Sequence, residues 1–87
     1  MPKIEKTIIV KSKQGLHARP AAMFVQLANK YTSDVTIRKS GEEVNGKSIM
    51  GILMIGADCG SELTMIADGD DAEKMLAELE AYLGKED

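Results

Sequence analysis

At 87 residues, with 44% hydrophobic and 29% charged side chains, the chain is long enough for one modest core and too short for a core plus a second module, so residues 1–87 are expected to form a single domain. A formal net charge of -3 speaks against direct DNA binding, and the longest apolar run, Ile49 to Ile55, is broken by Gly51 and falls far short of the roughly 20 residues that span a bilayer. The lone Cys59 can form no internal disulfide and the opening Met-Pro-Lys-Ile-Glu-Lys lacks the apolar stretch of a signal peptide, so a cytoplasmic protein with no membrane span is expected.

Ile4 and Thr7-Ile8-Ile9-Val10 are apolar and largely β-branched, which predicts a first strand over about 4–10. After a loop containing Gly15, Pro20 stands near the first turn of a helix whose apolar positions Ala21, Phe24, Val25 and Ala28 recur at helical spacing to about Asn29. Met23 and Leu27 fall beside that stripe, which fits either a wide buried face or an apolar patch left for a partner. Val35-Thr36-Ile37-Arg38 alternates as a half-buried strand, and Glu42-Glu43-Val44-Asn45 can pair back on it across Ser40-Gly41. The run from Ser48 to Ile55 is too short for its periodicity to decide between strand and helix, but Ser48 offers an N-cap hydroxyl and favours a short helix beginning just after it. Leu63, Met65 and Ala67 alternate with Thr64, Ile66 and Asp68 in a last strand. Asp70 with Glu73 resembles a capping box that opens a final helix, with Met75, Leu76, Leu79 and Leu83 as its buried stripe up to Gly84. The order β-α-β-β-α-β-α, with the last strand slotting between two earlier ones, describes a split βαβ arrangement of the α+β class, an antiparallel sheet with helices over one face.

Chemistry concentrates at Gln14-Gly15-Leu16-His17-Ala18-Arg19-Pro20, which holds the chain's one histidine. A single histidine, a single cysteine and scattered acids at no ligand spacing make no metal site, and neither a P-loop nor a nucleophile elbow is present. What remains is histidine as a nucleophile: an imidazole nitrogen can take a phosphoryl group, and a helix starting just beyond it would offer N–H groups and a positive dipole end to the phosphate, with Arg19 as a forked donor. Residue types alone favour an ordinary surface histidine beside an arginine. Ser48, likewise, is either a plain cap or a second place for a phosphate.

Gly15-Leu16-His17-Ala18-Arg19-Pro20-Ala21 together with Lys47-Ser48-Ile49-Met50-Gly51 resembles the HPr family, the histidine-containing phosphocarriers of the sugar phosphotransferase system, and length, element order and motif spacing agree across essentially the whole chain. The resemblance implies an open-faced β-sandwich, a four-stranded antiparallel sheet covered on one side by three helices, and a carrier that needs no cofactor and is modified and restored rather than a true enzyme. It implies that His17 takes a phosphoryl group on Nδ1 from phospho-enzyme I and passes it to IIA components of sugar permeases. Arg19 would hold the phosphate, and Gly15, Leu16 and Ala18 would form the phosphate-binding loop. Ser48 would be the regulatory site of HPr kinase/phosphorylase, its phosphorylated form binding the catabolite control repressor. Ala22, Met23, Met50 and Leu53 would form the docking patch, with Ile52 and Ile55 in the core. Two departures stand out: Gln14 replaces a smaller polar residue common in the family, and Leu53-Met54-Ile55 replaces the usual Met-Ser-Leu, making the patch more apolar. Ala21-Ala22 and Thr32-Ser33-Asp34-Val35 also resemble Crh, the regulatory branch, which lacks the active histidine present here as His17. A small acyl-phosphate hydrolase with Arg19 as its phosphate cradle is the rival from the enzyme class.

Overall fold

The structure is a computed structural model that describes residues 3–13 and 15–85. Seven elements follow one another: β1 (Lys3–Ile9), α1 (Ala18–Ala28), β2 (Asp34–Lys39), β3 (Glu42–Asn45), α2 (Ile49–Ile55), β4 (Glu62–Asp68) and α3 (Ala72–Leu83). The strands form one four-stranded sheet in the order β1-β4-β2-β3. Every pairing is antiparallel, with Thr7 opposite Thr64, Ile37 opposite Met65 and Ile37 opposite Val44. This is the split β-α-β-β-α-β-α arrangement expected from the element order, with the three helices against one face.

Strand alternation sets which residues meet the helices. Ile8, Val35, Ile37, Leu63, Met65 and Ala67 point into the core beneath Phe24, Ile52, Met75, Leu79 and Leu83, all of them buried. Phe24 is fully enclosed, and its truncation to alanine would cost about 3–5 kcal/mol in lost contact and cavity. The opposite face is polar, with Thr7 and Thr64 hydroxyls 3.0 Å apart and Arg38 Nε 3.1 Å from Glu43. Ile66 lies on this outer face yet is buried, flanked across the register by Glu5 and Thr36.

The β2–β3 hairpin closes through Ser40 and Gly41, both at positive φ (52° and 85°), as a two-residue loop matched to strand twist requires. The segment after Ser48 is helical: the Ser48 hydroxyl accepts a hydrogen bond from Gly51 N at 3.2 Å, and Ile52 and Ile55 turn inward as expected. Lys47 Nζ reaches Tyr31 O at 2.7 Å and ties this capped turn to the end of α1.

The start of α3 differs from its expectation. Asp70 and Glu73 form no capping box; the helix begins at Ala72, Asp71 is the N-cap and makes no side-chain capping bond. The reason is tertiary. The Asp71 carboxylate is turned to the turn before β2, where it accepts bonds from Thr32 N and Ser33 N, each at 2.9 Å, and from both hydroxyls. Gly84 ends the helix in a right-handed conformation (φ -83°), its N–H donating to Glu80 O at 2.9 Å, so the left-handed cap suggested by a terminal glycine is not used.

Candidate functional site

His17 is the N-cap of α1, with extended backbone (φ -90°, ψ -162°) and no capping bond from its ring. Its carbonyl accepts the first helical bond, from Ala21 N at 2.7 Å, and its side chain is 64% exposed. Pro20 falls in the first turn, where its missing N–H costs nothing because that position has no helical acceptor. No acid stands in the first turn of α1. The backbone N–H groups of Ala18 and Arg19 make no hydrogen bond to another described residue, and no described carboxylate pairs with the exposed Arg19 guanidinium. The helix thus presents its positive end, two free donors and a forked cation around one imidazole.

The loop ahead of His17 is held from below. Leu16 is buried, and its N–H donates to Ala57 O at 2.7 Å; the Gly15 N–H donates to Ser12 O at 3.1 Å. Of the three residues expected to form the phosphate-binding loop, Gly15 and Leu16 donate their N–H groups within the fold, and the Ala18 N–H meets no partner among the described residues. Gln14 lies outside the described residues. Arg19 lines a cleft of about 150 Å³ with Gly15, Leu16, Pro20, Met23 and Tyr82.

One residue at the site was not foreseen. Asp58, in the loop between α2 and β4, places Oδ1 3.1 Å from His17 Nε2, with its own side chain 73% exposed. No motif marks it; the Leu16–Ala57 backbone bond shows that this loop reaches the histidine.

Ser48 sits at the start of α2, half-buried, with its oxygen engaged by Gly51 N. Of the expected docking residues, Met50 (64% exposed), Met23 (42%) and Leu53 (39%) lie on the surface, while Ala22 is half-buried. Met54, 75% exposed, makes the surface of α2 more apolar, as its place in Leu53-Met54-Ile55 suggested, and Ile49 extends that surface further than was anticipated. The helical positions of Ile52 and Ile55 carried that signal, since burying them turns Met50 and Met54 outward. Among the described residues no group of three or more His, Cys, Asp and Glu could hold a metal ion, and no helix is long and apolar enough to cross a membrane.

The architecture defines the class first: a small α+β open-faced sandwich that carries an exposed histidine at the mouth of a sheet-backed helix. The family model described as "PTS HPr component phosphorylation site" matches residues 4–85. The chain is 47% identical over 83 residues to the HPr-like protein Crh of Bacillus subtilis (strain 168), covering 95% of this chain and 98% of the relative. It is similar to the crystal structure of the phosphocarrier protein HPr from Bacillus anthracis str. Ames, with TM-score 0.91 and 47% identity over 93% of this chain and 96% of that one. An HPr from Thermoanaerobacter tengcongensis is similar with TM-score 0.86 and 44% identity, covering 94% and 97% of the two chains. The protein belongs to the HPr family, the phosphocarriers of the phosphotransferase system.

Proposed function

We propose that this protein relays a phosphoryl group through His17, taking it from phospho-enzyme I and giving it to IIA components of sugar permeases. The observation that supports this most directly is the make-up of the α1 N-terminus: an exposed imidazole, N–H groups at Ala18 and Arg19 and an Arg19 guanidinium that meet no partner among the described residues, and no acid in the helix's first turn to neutralise them. In the forward step a ring nitrogen lone pair forms a bond to phosphorus as the donor's P–N bond breaks. The dianion then carried by His17 faces the helix N-terminus and Arg19, which stabilise it, and the reverse of the same step passes it on. Ala22, Met23, Met50 and Leu53 are the docking surface in this reading, helped by Met54.

Incubation with phosphoenolpyruvate and enzyme I is expected to label the wild type with acid-labile, base-stable phosphate, and His17→Ala to abolish labelling while its melting temperature stays unchanged. Label that survives in His17→Ala would reject His17 as acceptor, and phosphate release from an acyl phosphate that survives in His17→Ala would favour the acyl-phosphate hydrolase.

A second reading, a mainly regulatory role like that of Crh, is favoured by the 47% identity to that relative. Ser48 is its centre: a phosphate on the N-cap of α2 would lie at the positive end of a helix and put nearly two negative charges beside exposed Met50 and Ile49. HPr kinase/phosphorylase would add it, and the catabolite control repressor would read it. Ser48→Ala should then abolish repressor binding with sugar uptake intact, at a cost of about 1 kcal/mol in stability from the lost cap. Retained repressor binding in that variant would reject the regulatory reading.

A further inference from the structure

The carboxylate beside His17 is held by more than a chance encounter of two surface side chains. The Ala57 carbonyl accepts from Leu16 N at 2.7 Å, so the residue before Asp58 is bonded to the residue before His17. Asp58 N donates to Ser61 Oγ at 3.0 Å and Ser61 N returns to Asp58 O at 3.0 Å, closing a tight loop. Gly60 N donates to Val10 O at 2.7 Å and Val10 N to Ser61 O at 2.9 Å, fastening that loop to the end of β1. Gly15, at φ +63°, is pressed against it so closely that a Cβ there would stand 2.5 Å from Ala57 O and 2.9 Å from Asp58 Cα. Two backbone segments far apart in sequence are thus locked together, with one side chain of each meeting at 3.1 Å.

We propose that Asp58 is a positioning residue for phosphoryl transfer at His17, its carboxylate holding the ring hydrogen on Nε2 so that the reactive lone pair lies on Nδ1. The proposal rests on His17 being the phosphoryl acceptor. A neutral imidazole carries its hydrogen on one nitrogen and its lone pair on the other, and the partner of one nitrogen decides which is which. An acceptor at Nε2 therefore makes that nitrogen the donor. When the Nδ1 lone pair forms the N–P bond and the donor's P–N bond breaks, no proton leaves the ring. The imidazole becomes a cation with hydrogen on Nε2 and phosphorus on Nδ1, and Asp58 lies against that charge as it develops. The same ring is then a good leaving group for the next transfer, because it departs as the neutral Nε2–H form it began in.

The carboxylate also repels the phosphate, but the two act at different ranges. The phosphate sits on the far nitrogen, across the ring and in contact with solvent, whereas the carboxylate meets the ring at hydrogen-bond distance. An exposed pair of this kind adds little to folding. Its effect is expected in reactivity.

The test uses the full chain. Nitrogen-15 NMR of the His17 ring in the wild type should show the Nε2–H form, and Asp58→Ala a mixture of both tautomers. Asp58→Asn, whose amide oxygen still accepts from Nε2–H without the negative charge, should keep the tautomer. In single-turnover phosphorylation by phospho-enzyme I, Asp58→Ala should slow the transfer step by about three- to tenfold at unchanged KM, with Asp58→Asn between it and the wild type. Identical ring signals and rates in the wild type and Asp58→Ala, with normal uptake by the wild type, would overturn the assignment of Asp58 alone. A wild type that takes up no phosphate would overturn the acceptor reading and with it any role of Asp58 in transfer, while the ring signals would still report whether it sets the tautomer. Because Asp58 is mostly exposed and the loop bonds run through backbone, neither variant should lose the fold, which the dispersion of the same spectra shows.

Discussion

Two helices of this molecule begin in opposite ways. The start of α3 is crowded with acid: Asp70, the N-cap Asp71, and Glu73 in the first turn. The start of α1 has none, and its N-cap is a histidine. Both ends carry a positive dipole end and N–H groups for which the helix supplies no acceptor, one fewer at α1 because Pro20 has none. At α3 the negative charge is built into the chain and fastens the helix start to the turn before β2. At α1 the place for negative charge is left open, which a phosphate site requires and a purely structural helix end does not. The fold is secured at the first corner, and the proposed transfer would take place at the second.

Breaking the secured corner should have the largest effect on stability and none on transfer. In Asp71 one oxygen accepts from Thr32 N and Oγ1 and the other from Ser33 N and Oγ, so in Asp71→Asn an NH2 must face N–H donors. The variant is expected to melt several degrees lower while accepting phosphate at the wild-type rate. Acid should erase the difference. The Ser33 hydroxyl, followed by the Thr32 backbone N–H, holds the Asp71 carboxyl well below the usual carboxylate range. A depressed value means that the unfolded chain takes up the proton first, so the stabilisation is complete above the ordinary carboxylate range and is lost as pH falls through and below it. Glu78, lowered by Lys30 Nζ and then by the Tyr31 hydroxyl, shifts the same way and adds to the acid sensitivity of both proteins. Thermal melts from neutral pH to pH 2 should show the gap between wild type and Asp71→Asn narrowing; a gap that widened would contradict the linkage.

The contrast between the corners also marks what could be read from sequence. Apolar and β-branched patterning placed β1, α1, β2, β4 and α3, because residues such as Phe24 and Ala28 or Leu63 and Met65 bury by spacing alone, whereas β3 followed from the turn at Ser40-Gly41 and α2 from the Ser48 cap. The Ser48 cap was legible because the side chain bonds within its own turn. Asp71 and Asp58 were not, since each acts on residues far away in the chain: one on Thr32 and Ser33, the other on His17. A local rule put the α3 cap on Asp70 and Glu73, and a tertiary hydrogen-bond set overrode it. The motif around His17 identified the corner but not which of its N–H groups were already spent, because that depends on Ala57 meeting Leu16.

Making α1 begin as α3 does should sharpen the comparison further. Ala18 is the first helical residue and exposed, so Ala18→Glu puts a carboxylate in the first turn beside the free N–H groups. That charge should stabilise the helix by about 0.3–1 kcal/mol and, by occupying the ground meant for phosphate, slow acceptance at His17 about tenfold. Stability and transfer would move in opposite directions, measured by thermal melting and by single-turnover labelling. A variant that is more stable and equally fast would show that the open helix end is not what receives the phosphate.

The converse change is the smallest. Glu73→Gln removes first-turn charge at α3 and leaves Asp71 with its four donors untouched. If the acids there acted mainly through the dipole, the loss would match the gain from Ala18→Glu. If the hydrogen bonds to Thr32 and Ser33 dominate, Glu73→Gln should cost only about 0.3 kcal/mol, and most of that should vanish in high salt, where the dipole interaction of an exposed carboxylate is screened. The Asp71→Asn deficit should persist in the same salt, because directed hydrogen bonds at contact distance are not screened by ions. Denaturant titrations of both variants at low and high ionic strength separate the two contributions, and equal salt sensitivity would mean that the secured corner is held by charge rather than by geometry.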